Sequence, residues 1–157
     1  MFDYESISLH WVNRLGFLVR KELGQRFRDH GYDVTPEEWA VLLILWKHGA
    51  QTPGRIADVT FRDRTTVTRL VDGMVKKHLV ERDADPKDRR KSLIGASAFG
   101  QSLQSALVPI AADLIHKAMA GISQADALTT LRCLRQMTET LLPGQHAPLP
   151  HPPDQEM

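Results

Sequence analysis

The sequence predicts a mainly α fold: a winged helix-turn-helix of three helices plus a β-hairpin wing, flanked by N- and C-terminal helices that form a dimerisation region. Three observations carry that prediction. Val67, Leu70, Val71, Met74 and Val75 recur at spacings of three and four, which places them on one face of a helix over 63–77. The period then changes: 79–83 reads as a short strand, 85–88 as turn chemistry and 89–94 as the returning strand. Outside this unit lie long amphipathic segments with apolar stripes and no sheet to cover them.

The first helix is expected over 5–30. Val12, Leu15, Val19, Leu23 and Phe27 form its stripe, Leu18 widens it, and Gly31 ends it. Gly16 and Gly24 each cost about 1 kcal/mol relative to alanine inside a helix, so close approach of another helix is the expected reason for them. Thr35-Pro36-Glu37-Glu38 combines an N-cap, a proline at the first helical position and a capping-box glutamate. The helix it starts, 36–48, is apolar nearly all round and is expected to be central, with Gly49 ending it. Thr52-Pro53 repeats the cap for a short helix over 53–59, with Ile56, Ala57 and Val59 inward. The turn 60–62 has the length a helix-turn-helix needs, and Asp63 caps the next helix.

After the wing, 98–121 reads as one helix with Leu103, Leu107, Ile110, Leu114 and Ala118 in register, kinked at Pro109. Ser123 starts a last helix bearing Leu128, Leu131, Leu134, Met137 and Leu141, which Pro143-Gly144 ends. The four prolines after it, without periodicity, predict a disordered tail. The expected organisation is 1–34 for the N-terminal dimerisation helix, 35–97 for the DNA-binding domain, 98–143 for the C-terminal dimerisation helices and 144–157 for the tail.

The net charge of +1 does not by itself indicate nucleic acid, but its distribution does. Residues 52–91 hold 11 Lys and Arg against 7 Asp and Glu, whereas 1–34 balance at five and five and 99–142 at three and three. The surplus therefore sits on the reading segment. The only cysteine, Cys133, excludes an internal disulfide and a cysteine zinc site, which suits a reducing cytoplasm. No apolar run is long enough to span a bilayer, so no membrane partner is expected. No nucleophile–base pair or ligand cluster appears; an enzyme is not expected, and neither is a cofactor or a metal.

Short hydroxyls and arginines at a helix start suit the edges of bases in a major groove. Arg64, Thr65, Thr66, Thr68 and Arg69 are left on the early turns, away from the apolar stripe. In the wing, Arg89 or Arg90 is expected to reach the minor groove and Lys87 the backbone. Asp88 has the wrong sign for phosphate, so its expected role is to tie an arginine or the turn into shape. The competing reading is an ordinary solvated surface. Pairing the terminal helices with those of a second copy would set two recognition helices about 34 Å apart, on a pseudo-palindromic operator in double-stranded DNA.

Residues 66–97, TVTRLVDGMVKKHLVERDADPKDRRKSLIGAS, resemble the MarR (multiple-antibiotic-resistance regulator) family of bacterial transcription factors. The family's wing signature, Asp-x-Arg, would be Asp88-Arg89-Arg90, and the resemblance extends over roughly 5–142. The chain departs from the pattern at His78, where a glycine is usual, so the recognition helix is expected to end differently. The resemblance implies that Arg90 is the groove arginine with Asp88 as its organiser, and that Thr66 and Thr68 approach DNA. It also implies a homodimeric, ligand-responsive repressor released by a small aromatic or lipophilic effector. Candidate effector residues are His10, Trp11 and Arg14 on the first helix, and Trp39, Leu43 and Trp46 on the central one. His10 and Arg14 are one turn apart and can together take a carboxylate; plain core is the simpler account of Trp39 and Trp46. Peroxide-sensing relatives carry a cysteine near the start of the first helix, and this chain has none there, so Cys133 is expected to be a buried, inert thiol. A redox- or metal-responsive regulator of the same fold, and a winged-helix module that binds protein, remain the alternatives.

Overall fold

The computed structural model describes residues 3–142. The predicted tail and its Pro143-Gly144 stop lie outside the described residues. The described residues divide into two compact units, with the boundary between His116 and Lys117.

The first unit begins with a 3₁₀ turn, Tyr4–Ser6, followed by α1, Ser8–Asp29. The expected single helix from residue 5 is thus broken at Ile7, where Asp3 caps the short turn and Ile7 adopts an extended backbone. Next come α2, Pro36–His48, α3, Pro53–Thr60, and α4, Arg64–Lys76. All three starts are capped as their sequences require. Thr35 and Glu38 form a reciprocal capping box, while the side chains of Thr52 and Asp63 accept from the backbone N–H groups of Arg55 and Thr66.

Strands β1, Val80–Ala84, and β2, Ser92–Ala96, pair antiparallel with Val80 opposite Ala96 and Ala84 opposite Ser92. The returning strand therefore starts at Ser92, not at residue 89 as expected. Asp85 and Asp88 turn the chain with their side chains, accepting from the backbone N–H of Lys87 and Arg90, so 89–91 belong to the tip. Gln51 adds a one-residue bridge to Ile94, exchanging two backbone hydrogen bonds of 2.9 and 2.8 Å.

The core follows the apolar periodicity. Phe27 of α1, Val41, Leu42 and Leu45 of α2, Ile56 of α3, Val67, Val71 and Met74 of α4, and Ile94 of β2 are all buried. Each such side chain contributes about 1.5–3 kcal/mol by leaving water. α2 is central, as its nearly all-round apolar surface requires. Gly24 allows the close approach expected of it: a Cβ there would meet Pro36 Cγ at 3.3 Å, while one on Gly16 would meet open space within the chain.

The predicted helix 98–121 is two helices, α5, Ala98–Ser102, and α6, Gln104–Met119. The break falls at Leu103 and not at Pro109, which α6 contains. Around the break the hydroxyls of Ser102 and Ser105 donate to the carbonyls of Phe99 and Ser102, offering the backbone an alternative to the regular helical pattern. Leu103, Leu107, Ile110, Ala111 and Leu114 join the core.

The second unit contains α7, Gln124–Thr140, started by Ser123, whose hydroxyl accepts from the Asp126 N–H. No residue of α7 is buried, and Leu128, Leu131 and Met137 are all exposed. Cys133 is exposed as well, which corrects the expectation of a buried thiol: within one chain this helix has no core for the sulfur to enter. No single helix among the described residues is long and apolar enough to cross a membrane.

Candidate nucleic-acid interface

The interface grows out of the two ends of α4. At its start, Asp63 accepts from the Thr66 N–H at 2.8 Å and from the Thr66 hydroxyl at 2.7 Å. Those bonds hold the Asp63 carboxyl below its ordinary pKa, with the Thr66 hydroxyl the larger cause. Thr66 spends its proton on the cap, so towards a base it is an acceptor. Thr68 likewise donates to the Arg64 carbonyl at 2.8 Å. Arg64, Thr65, Thr66, Thr68 and Arg69 are all exposed, on the side opposite Val67, Val71 and Met74. The Arg64 guanidinium lies over the start of α3, where a Cβ on Gly54 would meet it at 3.3 Å.

At its other end α4 stops on His78, which takes the left-handed conformation at φ 59°. The Leu79 N–H bonds to the Met74 carbonyl at 2.9 Å and the His78 N–H to the Val75 carbonyl at 3.0 Å. This is the glycine-type cap in full, so the expectation of a differently shaped end is corrected. The imidazole is exposed and the flanking bonds hold the turn against the steric cost of a Cβ.

The wing carries the densest positive charge. Lys87, Arg89, Arg90 and Lys91 are exposed around Asp88, which is half-buried. Asp88 Oδ1 accepts from both Arg90 Nε and the Arg90 backbone N–H, each at 3.1 Å, while the Asp88 carbonyl accepts from the Lys91 N–H at 2.9 Å. The bond from the Arg90 side chain, then that from its backbone, holds the Asp88 carboxyl below its ordinary pKa. One carboxylate thus shapes the turn and fixes the arginine's stem, and Arg90 remains 91% exposed.

Other contacts brace wing and helix, and periodicity did not reveal them. Arg82 of β1 pairs with Asp72 of α4 at 2.7 Å. Lys77 reaches Glu38 and Asp33, each at 3.1 Å, joining the end of α4 to the start of α2. Gly100 of α5 sits against the corner after α4: a Cβ there would stand 2.0 Å from the Leu79 carbonyl oxygen. A glycine two residues inside a helix start was the available signal.

The remaining candidates are on α1 and α2. Tyr4 and His10 have ring centroids 4.9 Å apart, and His10 meets Trp11 edge-on at 5.6 Å. Trp11 is exposed and its indole N–H donates to the Glu5 carbonyl; Arg14 is exposed too. Trp39 is buried between Phe27 and Trp46, and Trp46 donates to the Gly100 carbonyl at 3.1 Å. Leu43 is exposed. Among the described residues no three His, Cys, Asp or Glu side chains gather as a metal site.

A capped helix with exposed arginines and hydroxyls, braced to a basic hairpin, defines a winged-helix DNA-binding protein. Residues 34–92 match the family model of the MarR family, so this part of the chain is similar to MarR transcription regulators. It is 25% identical over 134 residues to the HTH-type transcriptional repressor NicR of Pseudomonas putida, covering 82% of this chain and 85% of that one. Its fold matches that of Bordetella bronchiseptica BpsR, solved in a study of how 6-hydroxynicotinic acid regulates its DNA binding, with a TM-score of 0.78, 23% identity, and coverage of 88% and 98%. It matches S. aureus MepR in complex with DNA with a TM-score of 0.76, 21% identity, and coverage of 88% and 99%. The matched family and the named relatives are DNA-binding transcription regulators, not enzymes.

Proposed function

We propose that the chain works as a homodimeric repressor on a pseudo-palindromic operator and leaves it when a small aromatic or lipophilic effector binds. The observation that carries the dimer is the split character of α1. Its C-terminal half buries Leu23 and Phe27, while Leu9, Val12, Leu15 and Leu18 in its N-terminal half are exposed, Leu15 at 54%. Within the second unit, the exposed Leu128, Leu131 and Met137 of α7 pose the same burial problem. A second copy supplies the same apolar surface in return, as a two-fold interface requires. Sedimentation at micromolar concentration should give twice the chain mass; a folded monomer would sink this reading.

On DNA, Arg64, Thr65, Thr66, Thr68 and Arg69 would face the major groove, Arg90 and Arg89 the minor groove, and Lys87 the backbone, with Asp88 holding Arg90 in place. The similarity to a named repressor, NicR, supports the repressor reading. The proposed effector residues are His10, Trp11 and Arg14 on α1 and Trp39, Leu43 and Trp46 on α2. The cation at Arg14 and the rings of Tyr4, His10 and Trp11 suit a planar carboxylate. Because 6-hydroxynicotinic acid regulates BpsR, hydroxylated aromatic acids are the first panel to test. An effector lowers DNA affinity only by its preference for the DNA-incompetent arrangement. A ligand that raises Tm and releases DNA in the wild type, but does neither in Arg14→Ala, supports the assignment; equal response in the variant rejects it.

A further inference from the structure

The turn between α3 and α4 contains a residue that neither backbone preference nor burial explains. Phe61 lies in the left-handed conformation, φ 54° and ψ 37°. It occupies the position after α3 that glycine usually fills: the Arg62 N–H bonds to the Ala57 carbonyl at 3.0 Å and the Phe61 N–H to the Asp58 carbonyl at 3.3 Å. A bulky side chain there is strained, because its Cβ crowds the backbone. Burial does not offset the strain, since Phe61 is 67% exposed. A large ring in a strained, solvent-facing position is a double cost to the free protein.

The location points to DNA as what covers it. Phe61 is two residues ahead of the Asp63 cap, at the end of α4 that enters the groove. Arg62 and Arg64 flank it. Arg62 points back to Glu37 at 3.8 Å, whereas Arg64 is exposed. An apolar protein partner would call for neighbouring apolar surface, yet the exposed residues beside Phe61 in sequence are polar or charged. The side chains flanking it in sequence are Asp58, Val59, Thr60, Arg62, Asp63 and Arg64, of which only Val59 is apolar, and it is half-buried.

We propose that Phe61 is an apolar DNA contact, with its ring laid against the deoxyribose edge of the backbone at the lip of the groove entered by α4. The contact is uncharged and touches sugar, so it adds affinity on every sequence. It releases no counterion, unlike the contacts of Arg64 and Arg90. The proposal rests on the chain's DNA binding, and wild-type protein on the same probe is the control for that.

The test uses full-length protein and a labelled mixed-sequence duplex, titrated at several salt concentrations. Phe61→Gly and Phe61→Ala should each bind about three- to tenfold more weakly, with the slope of log affinity against log salt unchanged. Phe61→Trp, which keeps an aromatic face, should bind like wild type. Phe61→Gly should also raise Tm by a few degrees, because glycine relieves the left-handed strain. Weaker binding by a more stable variant cannot be a folding defect. Wild-type affinity in Phe61→Gly overturns the proposal, as does a lowered Tm, which would show the ring holding the fold, or a changed salt slope. Failure of the wild type to bind any duplex would instead reject the DNA-binding reading.

Discussion

Lys77 Nζ lies 3.1 Å from the carboxylate of Glu38, one of two buried polar residues in the chain's described part. The pair ties the C-terminal end of α4 to the capping box that starts α2. Burial pulls the Lys77 pKa down, but hydrogen bonds and charge from Glu38 and Asp33 more than offset this, and the net direction is up. A group whose pKa rises on folding contributes stability in full below its ordinary value, 10.5 here, and loses it as pH climbs through the raised native value. Lys77→Met should cost about 1–3 kcal/mol at neutral pH, since it leaves Glu38 without its cation. In thermal melts the wild type should lose more of its advantage above pH 10.5 than below it. A gap between the two proteins that stays constant through that range would contradict the linkage.

Gly100 should tolerate no side chain. The Cβ of an alanine would overlap the Leu79 carbonyl oxygen, which is backbone and already accepts the Ser97 N–H at 3.1 Å. Either α5 or the corner after α4 has to move. Gly100→Ala should therefore destabilise by about 3 kcal/mol or more, read by urea unfolding. Gly73, with open space at its Cβ position, is the control: Gly73→Ala should be neutral or stabilising.

Cys133 offers a check on how α7 is covered. It is exposed in the single chain. A dimer interface over α7 would shield the sulfur, so a thiol reagent should react slowly with the native protein and fast in urea. Fast reaction in the native dimer would mean that the interface leaves this part of α7 open.

The elements most legible in the sequence are those whose signal is local. Thr35, Thr52, Asp63 and Ser123 cap the helices as their side chains dictate, and the apolar spacings of α2 and α4 name their buried faces. Asp88 was readable as a shape-giving residue from its sign alone, because a carboxylate in a basic tip has nothing to gain from phosphate. The misread features depend on competition or on distance in sequence. Pro109 is the conspicuous helix breaker in the sequence, yet the break falls where the Ser102 and Ser105 hydroxyls reach carbonyls. His78 adopts glycine's conformation because the bonds from His78 and Leu79 back to α4 outweigh its intrinsic preference. Glu38 with Lys77, and Leu79 with Gly100, meet only after the chain has folded, and no periodicity marks such pairs.

The wing and the helix should fail in different ways. Arg90→Ala removes a cation from the exposed tip, so binding should weaken on many sequences together. The salt slope should drop by about one unit where a phosphate contact is lost. If Arg69 reads a base edge as proposed, Arg69→Ala should cost about 1–3 kcal/mol on the operator and less on mixed-sequence DNA. Thr66→Val has two effects, because the same hydroxyl donates to Asp63. A Tm measured beside the titration separates them, because losing the bond to Asp63 lowers stability whereas losing a base contact does not. Asp88→Ala decides what the tip is. Removing a negative charge beside Lys87, Arg89, Arg90 and Lys91 should, by charge alone, tighten binding to a polyanion. Yet Asp88 holds the Arg90 stem at 3.1 Å and its backbone N–H at the same distance, so its loss frees the arginine and loosens the turn. Asp88→Ala should therefore weaken binding in the same direction as Arg90→Ala, and the double variant should be little worse than Arg90→Ala alone. Tighter binding by Asp88→Ala in a fluorescence titration would mean that the tip acts only as a charged surface.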